Sequence, residues 1–501
     1  MKYSIFLIVA PMAMAFLVPF LGHVMPALSK GLSFLTALAG TVLSVFLLIT
    51  YKTPFTVIMG GWIPPFGINL HVDMLSLLFA TVVYGAVTLG IAFQLSSVVV
   101  KKPYFYMLIL LLLTSLNGMI LTGDLFNLFV FMEIAGISSW ALIASGNKTA
   151  GVRGALQYMV VASLASVAYL AAIAIIYSST GTLNMAQISG GLREMNSAMA
   201  ALAVLLILAS LFTEMEIFPF NSWVGSAYRG APSSISGLLS SAVALAGAYA
   251  MLRISYIVFG AGMGNIIRFG SFNITSILFW MGVVTVVTGE ASAFTQKDAK
   301  RMLAWSSVGQ MGMILMAIAI ASEKSIYGAV FALITHSISK LLLFMIVGRL
   351  VSATGTSDWT RWKGIGRKNS ILGIFFIIGA LGVTGIPLFA GFWGKFTIIG
   401  SAFKSTGSSY LGVYIILAAT VMEAVYFLRL AHALFEEPER KPGKVNTGIV
   451  FWTCTTLLAL AVVIIGVFPA PLDRKIKKIP SELRGDNTSG YISTVYKAMG
   501  R

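Results

Sequence analysis

The sequence predicts an all-α polytopic membrane protein of about fourteen transmembrane helices, two of them broken. Three observations carry that prediction. Of 501 residues, 58% are hydrophobic and only 10% are charged, a balance found in chains that cross a bilayer repeatedly. Apolar runs of about 20 residues, the length a hydrocarbon core demands, follow one another along the chain. Most Lys and Arg residues fall in the short loops between those runs, the pattern of membrane topology.

Fourteen apolar runs can be delimited: 4–22, 28–50, 74–96, 104–121, 125–145, 154–177, 198–225, 233–256, 272–294, 303–321, 326–350, 371–401, 411–435 and 447–468. The first begins in MKYSIFLIVAPMAMAF, too long and apolar for a signal peptide, and reads as a retained helix. Loops after odd-numbered runs carry Lys30; Lys101 and Lys102; Lys148 and Arg153; Arg229; Lys297, Lys300 and Arg301; Arg361, Lys363, Arg367 and Lys368; Arg440, Lys441 and Lys444. Loops after even-numbered runs carry Lys52, Arg193, Arg268, Lys324 and Lys404. The bias predicts odd loops in the cytoplasm and both termini outside, in the cell membrane. The basic tail, residues 471–501, disagrees, because Arg474, Lys475, Lys477 and Lys478 fall on the outer side by this count. Residues 1–470 read as one transmembrane domain.

Composition also excludes function classes. The net charge of +17 is distributed as loop topology rather than as a basic face, so nucleic acid is not an expected partner. A single cysteine, Cys454, rules out a disulfide framework or a cysteine-ligated cluster within the chain. Four histidines argue against a dense metal site, and no phosphate-binding or dinucleotide-binding glycine loop is present. The chain is expected to hold no cofactor and no catalytic site of its own.

Two runs depart from the others. LFTEMEIFPFNSW, residues 211–223, places Glu214 and Glu216 before a helix-breaking Pro219. GALGVTGIPLFAGFWGKF, residues 379–396, breaks at Pro387 and carries Lys395. Paired broken helices in the two halves of a transporter point to inverted repeats and to an ion path near mid-membrane. Each ion at a helix centre costs roughly 2.5–3.5 kcal/mol on insertion scales. Within the runs lie Glu133, Glu214, Glu216, Glu290 and Glu423, and the bases His336, Lys340, Arg253, Lys395, Arg429 and His432. A polar track satisfies so many better than isolated sites would. His336 and Lys340 share a helix face at a spacing of four and read as a relay. Arg253, Arg429 and His432 lie near helix ends and read as snorkelling or structural residues. Glu290 and Glu423 stay open between local ion pairing and a role in transfer.

The motifs GDLFNLFVFMEI (residues 123–134), FPFNSWVGSAYRGAPSSISGLL (218–239), QKDAKRMLAWSSVGQMG (296–312), THSISKLLLF (335–344) and GIPLFAGFWGKF (385–396) together resemble one family. It is the proton-translocating, antiporter-like family of membrane subunits, which includes those of respiratory complex I, of multisubunit Na+/H+ antiporters (D type) and of membrane-bound hydrogenases. The resemblance runs from about the third to the thirteenth helix and is greatest to the D-type antiporter member and its hydrogenase relatives. It implies fourteen helices with two inverted five-helix repeats, here about residues 104–256 and 272–435. It implies ion translocation through Glu133, His336, Lys340 and Lys395, with Glu214 at the position of the family's helix-seven lysine; the buried Glu216, Glu290 and Glu423 stand beside these as further candidates. It implies partner membrane subunits, H+ or Na+ as the ion, and any iron–sulfur clusters or nickel–iron site in partner subunits.

The chain departs from the family in its first half. The family's lysines on helices six and eight fall on Gln157 and Leu245, and its histidine after Pro-Phe falls on Asn221. Glu133 and Glu214 would be like charges in a low-dielectric interior, which both cannot comfortably bear. They are expected to share a proton or hold a cation, or else the first half is scaffold. A stand-alone secondary transporter and a non-conducting structural subunit remain the competing functions.

Overall fold

The computed structural model describes residues 2–95, 102–146, 148–260, 268–269, 272–405, 410–437, 445, 447–484 and 490–500. Among them, thirteen helices are long and apolar enough to cross a membrane. They include α1 (Phe6–Val24), α2 (Pro26–Thr50), α3 (Met74–Leu95), α4 (Pro103–Leu121), α5 (Leu125–Ala144) and α6 (Lys148–Thr180). A short helix, α7 (Met185–Glu194), precedes α8 (Ser197–Glu214). The seventh run ends helically at Glu214 and resumes as α9 (Val224–Gly230), the break expected around Pro219. Next come α10 (Ser233–Val258), α11 (Ile274–Thr295), α12 (Ala299–Ile320) and α13 (Glu323–Thr354). The twelfth run is split into α14 (Ser370–Thr384) and α15 (Gly391–Phe403), so neither half counts as a span alone. With α16 (Leu411–Phe435) and α17 (Ile449–Val467), the fourteen predicted crossings are all accounted for.

Burial along the spans follows their place in the bundle. Nearly all of α10 and α13 is buried, whereas most of α2 is not. A helix that is apolar all round is stable either in lipid or in the core. Here α10 and α13 form the core, and the ionisable residues they carry or contact are shielded from lipid.

Two sets of turns separate onto two faces. A hairpin of β1 (Phe55–Ile58) and β2 (Asn69–Val72) follows α2, and Leu70 bridges Thr122 after α4, while Asp124 bridges Asn184 after α6. On the other face, Lys300 in the first turn of α12 donates to the carbonyls of Arg229 and Ala231. The two halves of the chain repeat one device. Asp124 caps α5 and bridges Asn184; Asp298 caps α12 and bridges Asp358. The long helices α6 and α13 both end in a threonine, Thr180 or Thr354, that bonds the carbonyl two residues on. One copy lies on the face of the even turns and the other on the face of the odd turns.

The tail is not a loose basic segment. It forms α18 (Ala470–Ile476), α19 (Ile479–Arg484) and α20 (Tyr491–Ala498) on the face of the even turns. The thirteen spans and the split twelfth run together match the predicted fourteen crossings. Lys475 donates to the Leu48 carbonyl at 2.9 Å and Lys477 pairs with Asp473 at 2.8 Å. Of the loop charges used for orientation, Lys101, Arg440, Lys441 and Lys444 lie outside the described residues, as do the side chains of Lys148, Arg193 and Arg268.

Beneath the tail sits a buried ion pair. Arg253, at 2% exposure, reaches Asp73, at 1%, at 2.5 Å. Arg253 is thus a structural cation in the interior and not a snorkelling one. Burial opposes the Asp73 charge, but Arg253 outweighs it and holds the carboxyl below its usual range. Burial pushes the neighbouring His71 down to about 3, so the ring is neutral and packs on Tyr491. Glu482 of α19 accepts from Tyr51 at 2.9 Å and from the Met74 amide at 3.2 Å. Burial, and then Asp73, push Glu482 up to about 7. A raised carboxyl contributes most below its unfolded value and loses that contribution as pH rises through the folded one. Proteolysis of the C-terminal segment should therefore be faster at about pH 8 than at about pH 6. Glu482→Gln should remove the difference; an unchanged pH dependence in that variant would refute this role.

Candidate functional site

The site is built where α14 stops. Gly385 adopts a positive φ of 79°, and a Cβ there would lie 2.9 Å from the Lys395 side chain. A helix end leaves carbonyls without intrahelical partners. Lys395, entering from α15, donates to one of them, the Thr384 oxygen, at 3.1 Å. Its ammonium also meets Glu423 of α16 at 2.6 Å. Glu423 has no solvent exposure and Lys395 has 6%. Gln310 of α12 donates to both Glu423 oxygens at 2.9 and 3.0 Å, and Ser306 donates to one at 3.2 Å. The carboxylate is thereby held by a cation and two neutral donors, the condition under which a buried pair is tolerated.

The pair is continued by further groups. Lys340 of α13 donates to Ser306 at 2.7 Å and to the Leu303 carbonyl at 3.0 Å. Ser306 thus stands between Lys340 and Glu423. Glu290 of α11 accepts from Tyr426 at 3.0 Å, and the charges of Glu423, Lys395 and Lys340 all act on it. His336, one turn from Lys340, approaches Ser240 of α10 at 3.5 Å. The predicted His336, Lys340, Lys395, Glu290 and Glu423 are therefore brought into one polar track, and Glu423 is resolved as the partner of Lys395. Arg429 and His432 are exposed, with Arg429 lying over the rings of Phe294 and Trp359, as expected at a helix end.

The first half is different. Glu214 ends α8 with 7% exposure, and the charge of Glu133 reaches it. The two like charges are thus close enough to interact. Glu133, on α5, is half-buried and accepts a hydrogen bond from Ser166 of α6. Gln157 and Asn221 both keep a buried amide atom with no partner among the described residues. Leu245 is 1% exposed and belongs to the apolar core. Glu216, at 2% exposure, follows with a positive φ of 61° and accepts from Tyr228.

A family described as NADH:quinone oxidoreductase/Mrp antiporter, transmembrane, matches residues 122–423. The chain belongs to this family. The D-type member of a Na+/H+ antiporter from Alkalihalophilus pseudofirmus is 30% identical over 491 residues, covering 96% of this chain and 97% of that one. The N-type member of an NADH-quinone oxidoreductase from Desulforudis audaxviator is 32% identical over 403 residues, 78% of this chain and 77% of that one. Among solved structures, a chain of the archaeal membrane-bound sulfane sulfur reductase superposes with a TM-score of 0.90 at 33% identity, over 99% of this chain and 100% of that one. A chain of the Mrp complex from Dietzia superposes with the same score of 0.90 at 22% identity, and shares the fold. The matched segment of the NADH:quinone oxidoreductase/Mrp antiporter family spans the site from the turn before Asp124 to Glu423.

Sequence reasoning missed four groups that stand in the track or its frame. Gln310, Ser306 and Tyr426 carry no formal charge, so a scan for buried ions passes over them. Asp73 precedes the third apolar run by one residue and reads as a loop charge. Its signal was an unpaired Arg253 inside a neighbouring run, which demands a buried acid.

The Glu133–Glu214 pair yields a measurable expectation. Two carboxylates in a low-dielectric interior are expected to share a proton or to hold a cation between them. The carboxylic-acid region of a difference infrared spectrum should show a titrating band that disappears in Glu214→Gln. Absence of any titrating band assignable to either residue would leave the first half as scaffold.

Proposed function

We propose that the chain is the ion-translocating, antiporter-like subunit of a multisubunit membrane complex, moving H+ through its second half. The observation that carries this reading is the Lys395–Glu423 pair, 2.6 Å apart at a helix break and extended through Ser306 to Lys340. A lysine held by a carboxylate can release it, lose a proton and recover the contact, so the pair is a two-state element. His336, one turn from Lys340 and 3.5 Å from Ser240, supplies the next station. The charge bias supports a cytoplasmic odd-turn face, with both termini outside the cell membrane.

The likeness over nearly the whole chain to a subunit of a respiratory membrane complex supports a redox-driven assembly. Electrons would then be handled by partner subunits holding iron–sulfur clusters or a nickel–iron site. A second reading is favoured by the comparable likeness to the D-type antiporter member: a Na+/H+ antiporter assembly with no redox partner. Gentle purification from the native membrane decides between them. Iron–sulfur or nickel–iron subunits in the preparation support the redox pump, and small apolar subunits alone support the antiporter. A chain that purifies alone, and moves ions alone, would overturn the multisubunit reading.

A further inference from the structure

The odd-turn face holds a cavity of about 520 Å3 that lies outside the polar track. Its wall carries three cations: Arg229 at the end of α9, Lys300 in the first turn of α12 and Arg349 near the end of α13. No Asp or Glu side chain belongs to the described lining. Asp298, outside the lining, pairs with Arg229 at 3.0 Å and offsets one of the three charges. Lys300 is 4% exposed, and its ammonium donates to the Arg229 and Ala231 carbonyls. Those two bonds use two of its three N–H groups. A carbonyl has no formal charge, so the charge of a buried ammonium stands at the wall. The Arg349 guanidinium lies 4.9 Å from the centroid of the Phe451 ring and 5.8 Å from that of Phe93. Such stacking fixes the plane of the guanidinium and the direction of its N–H fork. Neutral donors complete the wall. Ser233 and Ser234 open α10, and the first backbone N–H groups of a helix have no intrahelical acceptor. Ser234 donates to Gln94 Oε1 at 3.0 Å, which leaves the amide nitrogen of this buried glutamine as a further donor in the lining.

We propose that this cavity binds a phosphate-bearing anion through Arg229, Lys300, Arg349 and the first turn of α10. The cations come from three separate elements, and the helix N-terminus from a fourth. A tetrahedral phosphate offers oxygens in several directions, whereas a carboxylate offers two in one plane. Arginine and helix N-termini are the usual phosphate donors. The volume falls within the range of small-molecule sites, about 300–1,000 Å3. That is far more than a bare phosphate fills, so the phosphate belongs to a larger molecule: an anionic phospholipid, by its headgroup, or a soluble phosphate ester. Either one bonds α9 and α10 of the first half and α12 and α13 of the second, and so fastens the two halves at the odd-turn face. The site is separate from the proton path. Arg349 stands nine residues along α13 from Lys340, about 13 Å at the helical rise. The inference is therefore independent of the translocation reading.

The test measures binding to the intact complex, purified in uncharged detergent and stripped of lipid. The two probes are a short-chain phosphatidylglycerol and inorganic pyrophosphate. Each is followed by native mass spectrometry and by the rise in melting temperature that a ligand of the native state produces. Arg229→Gln and Arg349→Gln are compared with the unaltered protein. Lys363→Gln serves as the control, because Lys363 is an odd-turn cation paired with Glu436 at 3.3 Å and stands outside the cavity. The expected result is that at least one probe binds the unaltered complex. Its binding should weaken by about tenfold or more in each cavity variant, the scale of a lost charge-assisted hydrogen bond. Lys363→Gln should bind as the unaltered protein does. Binding of phosphatidylglycerol in this pattern supports the site and assigns it to a lipid headgroup; binding of pyrophosphate supports it and assigns it to a soluble phosphate compound. The Arg229 side chain is half-exposed, so Arg229→Gln carries the test alone where Arg349→Gln fails to assemble. The site is overturned by an unaltered complex that binds neither probe, or by undiminished binding in Arg229→Gln. An equal loss in Lys363→Gln also overturns it, because that marks unspecific surface charge. Translocation is not part of the readout, so failure of the translocation reading leaves this result standing.

Discussion

Lys395→Met should stop ion translocation and leave the complex assembled. Methionine keeps most of the lysine's apolar stem, so the packing of α15 against α13 is largely preserved. What is lost is the ammonium that bonds Glu423 at 2.6 Å and the Thr384 carbonyl at 3.1 Å. Removing one partner of a buried pair costs about 3–5 kcal/mol, because the other charge is left uncompensated. Gln310 and Ser306 still donate to Glu423, which softens that loss. The carboxylate can also escape it by taking a proton. The double variant Lys395→Met with Glu423→Gln should therefore recover much of the lost thermal stability. It should recover none of the translocation, since neither switching group remains. Dye-reported acidification of proteoliposomes, paired with thermal unfolding of the same samples, separates the two effects. Transport at the wild-type rate in either variant would refute the assignment of the pair as the switch.

Arg253→Met should have the largest effect on stability. The guanidinium bonds Asp73 at 2.5 Å and Tyr249 at 2.8 Å, and lies 5.2 Å from the centroids of both the Tyr249 and the Tyr491 rings. Its removal leaves Asp73 buried at 1% exposure beside a neutral His71. The loss is again about 3–5 kcal/mol. It should fall first on the tail, because Tyr491 of α20 packs on both Arg253 and His71. Rapid cleavage between α17 and α20, before the transmembrane core is attacked, is the expected signature. Adding Asp73→Asn should restore part of the melting temperature by removing the stranded charge. If Arg253→Met melts with the unaltered protein and resists protease equally, the pair contributes nothing to holding the tail.

The two pairs differ in a way that matters for function. Asp73–Arg253 closes the bundle at its even-turn face, with an arginine whose charge persists at any physiological pH. Lys395–Glu423 sits at a helix break and uses a lysine, which loses its proton far more readily when buried. On the proposed function, the choice of cation separates a fastening pair from a switching pair, even though both are nearly inaccessible to water.

Much of this was determined by the sequence alone. Apolar runs of bilayer length dictated the fourteen crossings, because a backbone in lipid must satisfy its own hydrogen bonds. Pro219 and Pro387 marked both helix breaks, since proline cannot continue the ladder. His336, Lys340 and Lys395 announced themselves as ions where ions are costly. Tertiary structure decided the pairings. Glu423 and Lys395 stand on different helices, and nothing in their spacing says that they meet. Asp73 and Arg253 are 180 residues apart in the chain. The basic tail read only as a disagreement with the charge rule, yet it folds back onto the bundle, where Tyr491 and Glu482 find partners. Local sequence dictates which segments become helices and where they break, because those choices depend on near neighbours. Which buried charge answers which depends on how α10 to α16 pack together, and only the folded bundle sets those distances.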